Sequence, residues 1–477
     1  MAKNKKIKKV HLIGICGTAM SALAIIMKES GWQVTGTDED FFGETSLALK
    51  KNGIKFFKKF SADNIPSRTD LVVLGNFGMF TAEFNPETRR AVEMECKFQS
   101  LPETLAVLAK DKEQIVVAGS FGKSSCASLL SWCLDRTGKN PSYLFAAQPI
   151  DLKNSGHLDT GKEFVIEGDE YSSSKTDKRS KFLHYNPSSV LLTSGEHDHA
   201  NLFPTEESYK TTYKKLMAKI PKNGLLVYCL DGKNNTEISK HAKCKHVSYS
   251  LDNRKADWYA KNIKYGMQSS FDLTRQGKKV MMVKTKLLGK HNIENIIGVG
   301  ALLLEQIKIT PIVFAKAISS FHGIKKRMEL KTKNSKVLVY EGFGPSYEKV
   351  KSVFDAMRLH FPKRRIIAVF EPHAFSWRNR KFLKWYRNIF DNVDEVITLP
   401  ATGHGKRAKD QLTTREVWRE IKKHRKNVYF IKSEKEGLAV VKKIIKKGDV
   451  VALVSSGPMF GLTESVPKLV EKMFRKR

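Results

Sequence analysis

The chain has 477 residues, with 84 basic and 49 acidic side chains, a net charge of +35 and a hydrophobic fraction of 41%. That length suggests two to four domains, and that hydrophobic fraction excludes wholesale disorder. The charge suits polyanionic partners, but it is spread along the chain, as in KKHRK at 422–426 and KKIIKK at 442–447, with no RNP, zinc-finger or Arg-rich tail pattern. A general surface property is therefore expected, and no nucleic acid partner.

The first residues, MAKNKKIKK followed by VHLIGICGTAMSALAII, mimic the charged and apolar regions of a signal peptide. The apolar run is interrupted by His11, Gly14, Gly17, Thr18 and Ser21, and it divides into strand, glycine turn and helix. No stretch approaches the roughly 18 apolar residues of a membrane span, so a soluble, cytoplasmic protein without membrane insertion is expected. The six cysteines form no C-x-x-C pair or zinc-like spacing and read as reduced core thiols.

Taken in order, KVHLIGI, CGTAM, SALAIIMKES and QVTGTD predict a β-α-β unit, and DLVVLGN at 70–76 continues it. Cys16 and Ala19 stand where a dinucleotide fingerprint has glycines, so ordinary NAD binding is disfavoured. Amides at the helix start could still face a phosphate, and Asp38 ends the second strand, where a carboxylate can meet a sugar hydroxyl; a tight turn and a strand-end carboxylate account for them equally simply.

A second block opens near Asp111. Strand QIVVAGS leads through AGSFGKSS into helix KSSCASLLSWCLDRTG, which ends at Gly138. Gly119, Ser120, Gly122, Lys123, Ser124 and Ser125 form a glycine loop shorter than G-x-x-x-x-G-K-[ST]. Its place between strand and helix suits a nucleotide-phosphate loop, with Lys123 as mobile cation and Ser124 as a hydroxyl for Mg²⁺; a glycine turn that merely carries a lysine is the other reading. Two strands then end in carboxylates, EFVIEGDE at 163–170 and SVLLTSGE at 189–196. Glu167 is placed to face a crevice and a hard cation, and His197 and His199 beside Asp198 suggest either metal ligands or hydrogen-bonded loop residues. SSSKTDKRSKFLHYNP, between them, is polar and basic and reads as a surface loop. GKHNIEN at 289–295 opens a helix whose amides suit an adenine edge, and Arg327 in HGIKKRMEL could reach a phosphate. From near Gly323, VLVYEGFG, RIIAVFEPH, EVITLP, NVYFIK and DVVALVSSG alternate with helical segments, as in another parallel α/β domain.

The order of these motifs resembles the Mur ligase family, ATP-dependent amide-forming enzymes of peptidoglycan synthesis, over essentially the whole chain. That family's short loop reads G-T-x-G-K-[ST]-[ST], and GSFGKSS fits it with Ser120 in the threonine position. The resemblance implies an α/β protein of three domains: a Rossmann-like UDP-sugar-binding domain over 1–110, a central P-loop ATPase domain with a mostly parallel sheet over 111–323, and a Rossmann-like domain binding the amino or peptide substrate over 324–477. It implies ATP and Mg²⁺ as cofactors. Lys123, Glu167, His199 and Arg327 are the implied catalytic residues, and Ser124, Glu167 and His199 the metal ligands. Nucleotide contacts fall on Gly119, Ser120, Gly122, Lys123, Ser124, Ser125, His291, Asn292, Asn295 and Arg327, and UDP-sugar contacts on Gly14, Gly17, Thr18, Asp38 and Arg179.

HLIGICGTAMSALA, EGDEYSSSKTDKRSKFLHYNP, DHANLFP and LLGKHNIEN look most like the branch that joins the murein peptide L-Ala-γ-D-Glu-meso-diaminopimelate to UDP-N-acetylmuramate through an acyl phosphate. The alanine-adding branch is the alternative, and FEPHAFSWR resembles it. A further alternative is a family-derived binding or regulatory protein with impaired ligation. It arises because EGFGPSY, Glu341 to Tyr347, stands where the family carries D-D-[FY]-[AG]-H-H-P. Two acidic positions become Glu341 and Gly342, and two histidines become Pro345 and Ser346.

Overall fold

The computed structural model describes residues 7–39, 43–76, 78–199, 202–401 and 411–475. The basic residues 1–6 and part of DHANLFP lie outside them. The chain forms two compact units: 1–262, 271–283 and 294–321 in the first, and 263–270, 284–293 and 322–477 in the second. No helix among the described residues is long and apolar enough to cross a membrane.

The first unit opens on a sheet of β1 (Lys9–Ile13), β2 (Gln33–Thr37), β3 (Lys55–Phe57), β4 (Leu71–Leu74) and β5 (Lys97–Ser100), in the order β3-β2-β1-β4-β5. All neighbours are parallel. Strand β1 is central and buried beyond its first residue, as a sheet covered on both faces requires. One of its buried side chains is polar. His11 reaches Thr35 Oγ1 at 2.8 Å and Glu87 Oε2 at 3.2 Å, so its ring nitrogens are satisfied inside the core.

A second sheet comprises β6 (Glu113–Ala118), β7 (Ser142–Leu144), β8 (Gly156–His157), β9 (Glu163–Gly168), β10 (Pro187–Leu192), β11 (Leu225–Cys229), β12 (Lys245–Tyr249), β13 (Trp258–Lys264), β14 (Ser269–Arg275) and β15 (Lys278–Thr285). Its order is β15-β14-β13-β12-β11-β10-β6-β9-β7-β8. The β6 strand lies between β9 and β10 and is parallel to both, which brings three strand ends to one edge. The segment read as a surface loop, 172–187, is more than that. Phe182 and Tyr185 are fully buried in the core, three residues apart on and just after the short helix Lys181–His184. Their apolar area outweighs the polar composition around them.

The second unit carries β16 (Arg327–Leu330), β17 (Leu338–Phe343), β18 (Ile366–Phe370), β19 (Glu395–Thr398), β20 (Val428–Phe430) and β21 (Val450–Ser455), in the order β16-β17-β21-β18-β19-β20. Only β16 is antiparallel. Strand β21 shows why the sheet is covered twice. Val450, Ala452 and Val454 enter one core with Trp377 and Phe370, while Val451 and Leu453 enter another with Leu462 and Val466. Alternate residues of a strand face opposite sides, so a continuous apolar run supplies both.

Candidate active site

The loop between β6 and the helix Lys123–Arg136 is tight for a stated reason. Gly119 has φ +135°, and a Cβ there would lie 2.2 Å from Thr193 Oγ1. Gly122, at φ +80°, is the helix N-cap, so no side chain caps the first-turn amides of Lys123, Ser124 and Ser125. Such amides form a ready cradle for phosphate. Ser120 fixes the loop from below: its N–H donates to Ser194 O at 2.8 Å, its hydroxyl also donates to Glu196 O, and that hydroxyl lies 2.8 Å from Tyr209 Oη.

Into this loop projects Lys123. Its Nζ donates to Gly119 O at 2.6 Å and to Glu170 Oε2 at 2.9 Å. Burial alone would lower its pKa, but Glu170, Glu167 and Asp169 outweigh that and hold the ammonium charged. Ser124 Oγ donates to Glu167 Oε1 at 2.8 Å, and the other Glu167 oxygen accepts from Ala146 N–H at 2.7 Å. Burial pushes the Glu167 carboxyl up, with Ala146, Lys123 and Ser124 opposing. His199 has φ +56°, a conformation that costs a non-glycine residue about 1–3 kcal/mol, which suggests a functional constraint. Its Nε2 lies 3.2 Å from Glu170 Oε1 and its Nδ1 3.0 Å from Tyr171 Oη. The Glu170 hydrogen bond raises the imidazole pKa. His197 faces elsewhere, 2.8 Å from Phe203 O.

Among the described residues no group of three or more His, Cys, Asp or Glu is arranged to hold a metal ion. The donors present still fit magnesium. Mg²⁺ is usually held by one or two carboxylates, with phosphate oxygens and water completing its shell. A hydroxyl and a carboxylate already 2.8 Å apart beside the phosphate cradle supply that much. His199, hydrogen-bonded through both nitrogens to Glu170 and Tyr171, sits one carboxylate further on.

The remaining expected residues are placed as follows. Gly14 has φ +83° and is packed so closely that a Cβ would meet Phe80 at 2.5 Å. Gly17 caps the helix Thr18–Glu29, whose first residue is Thr18. Asp38 is buried and accepts from Cys16 N–H at 2.9 Å, which braces the glycine turn. Arg179 is exposed and forks onto Asp177, with Nη2 to Oδ2 at 2.7 Å. In the helix Lys290–Leu302, His291 is exposed, and Asn292 is buried and donates to Leu288 O at 2.7 Å. Asn295 is buried one turn later, its Oδ1 2.9 Å from where a Gly122 Cβ would sit. That spacing leaves no room for a side chain at Gly122. Arg327 is exposed, with its guanidinium 5.0 Å from the Phe343 ring.

Phe343 belongs to EGFGPSY, and this segment is held by a network of its own. Glu341 is buried and pairs with Lys331 at 3.1 Å. A Cβ on Gly342 would lie 3.0 Å from Val353 Cγ2. Gly344 O accepts from Trp377 Nε1 at 2.9 Å, and Pro345 O accepts from Ser376 Oγ at 2.5 Å. Tyr347 packs on Trp377 and Trp385. Ser376 and Trp377 of FEPHAFSWR therefore hold this loop in neutral hydrogen bonds and an aromatic contact.

Sequence reasoning missed Glu170 as the shared partner of Lys123 and His199. Its only signal was the last letter of EGDE, two residues beyond the strand. Tyr209, 89 residues from Ser120, gave no signal.

Three family models match the chain: "Mur ligase family, catalytic domain" over 9–113, "Mur ligase middle domain" over 117–303 and "Mur ligase, glutamate ligase domain" over 326–457. The UDP-N-acetylmuramate–L-alanine ligase of Dictyoglomus turgidum is 29% identical over 469 residues, 96% of each chain. The UDP-N-acetylmuramate–L-alanyl-γ-D-glutamyl-meso-2,6-diaminoheptandioate ligase of Escherichia coli is 30% identical over 369 residues, 77% of this chain and 79% of the relative. The crystal structure of UDP-N-acetylmuramate–alanine ligase from Thermotoga maritima superposes with a TM-score of 0.77, at 20% identity, covering 98% of this chain and 99% of that one.

Proposed function

The chain belongs to the Mur ligase family, ATP- and Mg²⁺-dependent amide ligases of peptidoglycan precursors, and on that premise we propose that it joins the carboxylate of UDP-N-acetylmuramate to the amino group of L-alanine in the cytoplasm. The observation that carries this choice is coverage. The alanine ligase of D. turgidum matches 96% of the chain, third sheet included, whereas the tripeptide ligase of E. coli matches 77%.

Bound ATP would supply the phosphoryl group that activates the muramate carboxylate. The roles proposed for this chain's residues follow from their positions. The first-turn amides of Lys123, Ser124 and Ser125 orient the phosphates, and Lys123 places a charged ammonium where negative charge grows. Glu170 keeps that ammonium protonated and in place. Ser124 and Glu167 offer the hydroxyl and carboxylate for Mg²⁺. The uncharged amine of the acceptor then attacks the activated carbonyl, and phosphate leaves.

A second reading keeps the same chemistry with a longer acceptor, L-Ala-γ-D-Glu-meso-diaminopimelate. The DKRSKF segment favours it, with Asp177, Arg179 and His184 in one ion-pair cluster. Steady-state rates with UDP-N-acetylmuramate and each acceptor in parallel separate the two. L-Alanine is expected to give the higher kcat/KM by at least about tenfold, a difference of ~1.4 kcal/mol. The reverse order would hand the assignment to the tripeptide.

A further inference from the structure

The positive charge is not shared evenly. Residues 324–477 carry 37 basic and 16 acidic side chains, a net +21, against 47 and 33, a net +14, in the 323 residues before them. Topology concentrates this excess further. Strands β17 to β21 are all parallel, so their amino ends share one edge of the sheet, and the helices between them run back to that edge.

The connections arriving there are lysine-rich. Lys442, Lys443, Lys446 and Lys447 precede β21 and are all exposed. Lys422, Lys423 and Lys426 precede β20 and are exposed as well. Lys363 leads into β18 and Lys336 into β17, both exposed. The last helix, Leu462–Met473, brings exposed Lys472 and Arg475 to the same edge, where Lys336 N–H donates to Phe474 O at 2.8 Å.

Helix-dipole compensation explains cations in last turns, such as Lys442 and Lys443. It does not explain Lys336, Lys363, Lys426, Lys446 and Lys447, which lie outside the helices. Nor are these charges used within the fold. Among the described residues the ammonium groups of Lys336, Lys363, Lys426, Lys446 and Lys447 have no hydrogen-bond or ion-pair partner. The arginines at this edge are engaged instead. Arg365 Nη2 donates to Asp449 Oδ2 at 2.7 Å, Arg425 Nη2 to Val393 O at 2.7 Å, and Arg364 Nη2 to Lys336 O at 3.1 Å. Local acids are also engaged: Asp449 and Glu395 with Arg365, Asp394 with Arg358, and Glu420 with Arg387 and Lys423.

We propose that this amino-end edge of the third sheet is a docking surface for a membrane rich in anionic phospholipid, holding the enzyme peripherally. What remains free is almost entirely lysine: hydrated point charges without the planar fork that favours bidentate nucleic-acid contacts. Among the described residues the connections that carry these lysines present no exposed large aromatic side chain, whereas single-stranded nucleic acid binding relies on bases stacking on such rings. Many mobile lysines on one edge match a broad array of headgroup phosphates. The edge is opposite the carboxyl ends of the same strands, where Glu341, Phe343, Ser455 and Gly457 line a cleft.

The test is vesicle co-sedimentation of the full-length protein. Binding is expected to phosphatidylcholine vesicles containing about 30% phosphatidylglycerol, to fall steeply with salt, and to vanish for pure phosphatidylcholine. Replacing Lys442, Lys443, Lys446 and Lys447 by Gln should weaken binding at least ~10-fold, with ligase turnover in solution unchanged. A control with the same net charge, replacing exposed Lys50, Lys51, Lys222 and Lys243 by Gln, should change it less than about twofold. The proposal is overturned if the wild-type protein ignores anionic vesicles, or if the two variants weaken binding equally. It is likewise overturned if single-stranded RNA displaces the protein from vesicles at equal phosphate concentration. Circular dichroism of both variants guards against loss of fold.

Discussion

The carboxyl ends of the two large sheets differ in chemistry. At β6, β9 and β10 the ends carry a charged network, Lys123–Glu170–His199 with Ser124–Glu167 beside it. At β17 the segment that holds an acid and histidine motif in the family carries Glu341 neutralised by Lys331, a glycine closed in by Val353, and carbonyls held by Ser376 and Trp377. The first site gathers a lysine, a serine hydroxyl and two carboxylates beside the first turn of a helix. The second is organised by one ion pair, close packing and neutral hydrogen bonds. The difference teaches that one strand-end region is organised by charge and the other by packing and neutral hydrogen bonds.

The comparison breaks most sharply at Lys123. Lys123→Ala should lower turnover by ~10³-fold or more, since a charge aimed at the transferring group is lost. ADP release within about tenfold of wild type would remove the phosphate loop from the mechanism. At the other end, Trp377→Ala should destabilise the second unit by about 3–5 kcal/mol, because a fully buried indole and its bond to Gly344 O both go. Denaturant unfolding would read this directly, and a loss under about 1 kcal/mol would show that the altered loop does not depend on it.

Glu170→Gln sharpens the first half of the comparison. Lys123 keeps its burial and loses its main counter-charge, so its pKa drops and its position loosens; turnover should fall about 100-fold. An unchanged rate would make Glu170 a bystander. Gly342→Asp tests the second half. The family's acid cannot simply be put back, because its Cβ would press on Val353, and the variant should lose about 1–3 kcal/mol of stability. If the substitution is silent in a thermal melt and accelerates turnover, the packing around Gly342 does not exclude an acid there.

The smallest effect concerns pH. Hydrogen bonds from Arg179 hold the Asp177 carboxyl down at about 2, with His184 adding to them. A depressed carboxyl stabilises the fold above its unfolded pKa of about 3.9 and ceases to do so as pH falls toward 2. The exposed Arg179 is screened by solvent, so Asp177→Asn should remove less than about 1 kcal/mol of the stability difference between pH 6 and pH 2.5. A larger loss would mean that the cluster supports more than its own loop.

Much of this was written locally. The first β-α-β unit, the strand–loop–helix of GSFGKSS and the alternating third domain follow from apolar runs and glycines a few residues apart. The Lys123–Glu170–His199 contacts did not, because they join residues 47 and 29 apart and depend on β6 lying between β9 and β10. Strand order is a property of the whole sheet, and no local pattern encodes it. Phe182 and Tyr185 were hidden by polar neighbours, and Trp377 gave no sign that it would close over Gly344.

The central claim is that an intact phosphate-handling end drives amide formation despite the altered loop. Its most direct test is mass-spectrometric quantification of product against ADP released, in reactions that omit each component in turn. The account predicts UDP-N-acetylmuramoyl-L-alanine and ADP in equal amounts, with neither formed beyond a single turnover of the enzyme unless ATP, Mg²⁺, UDP-N-acetylmuramate and L-alanine are all present. ADP release without amide product, or no release in the complete mixture, would contradict it.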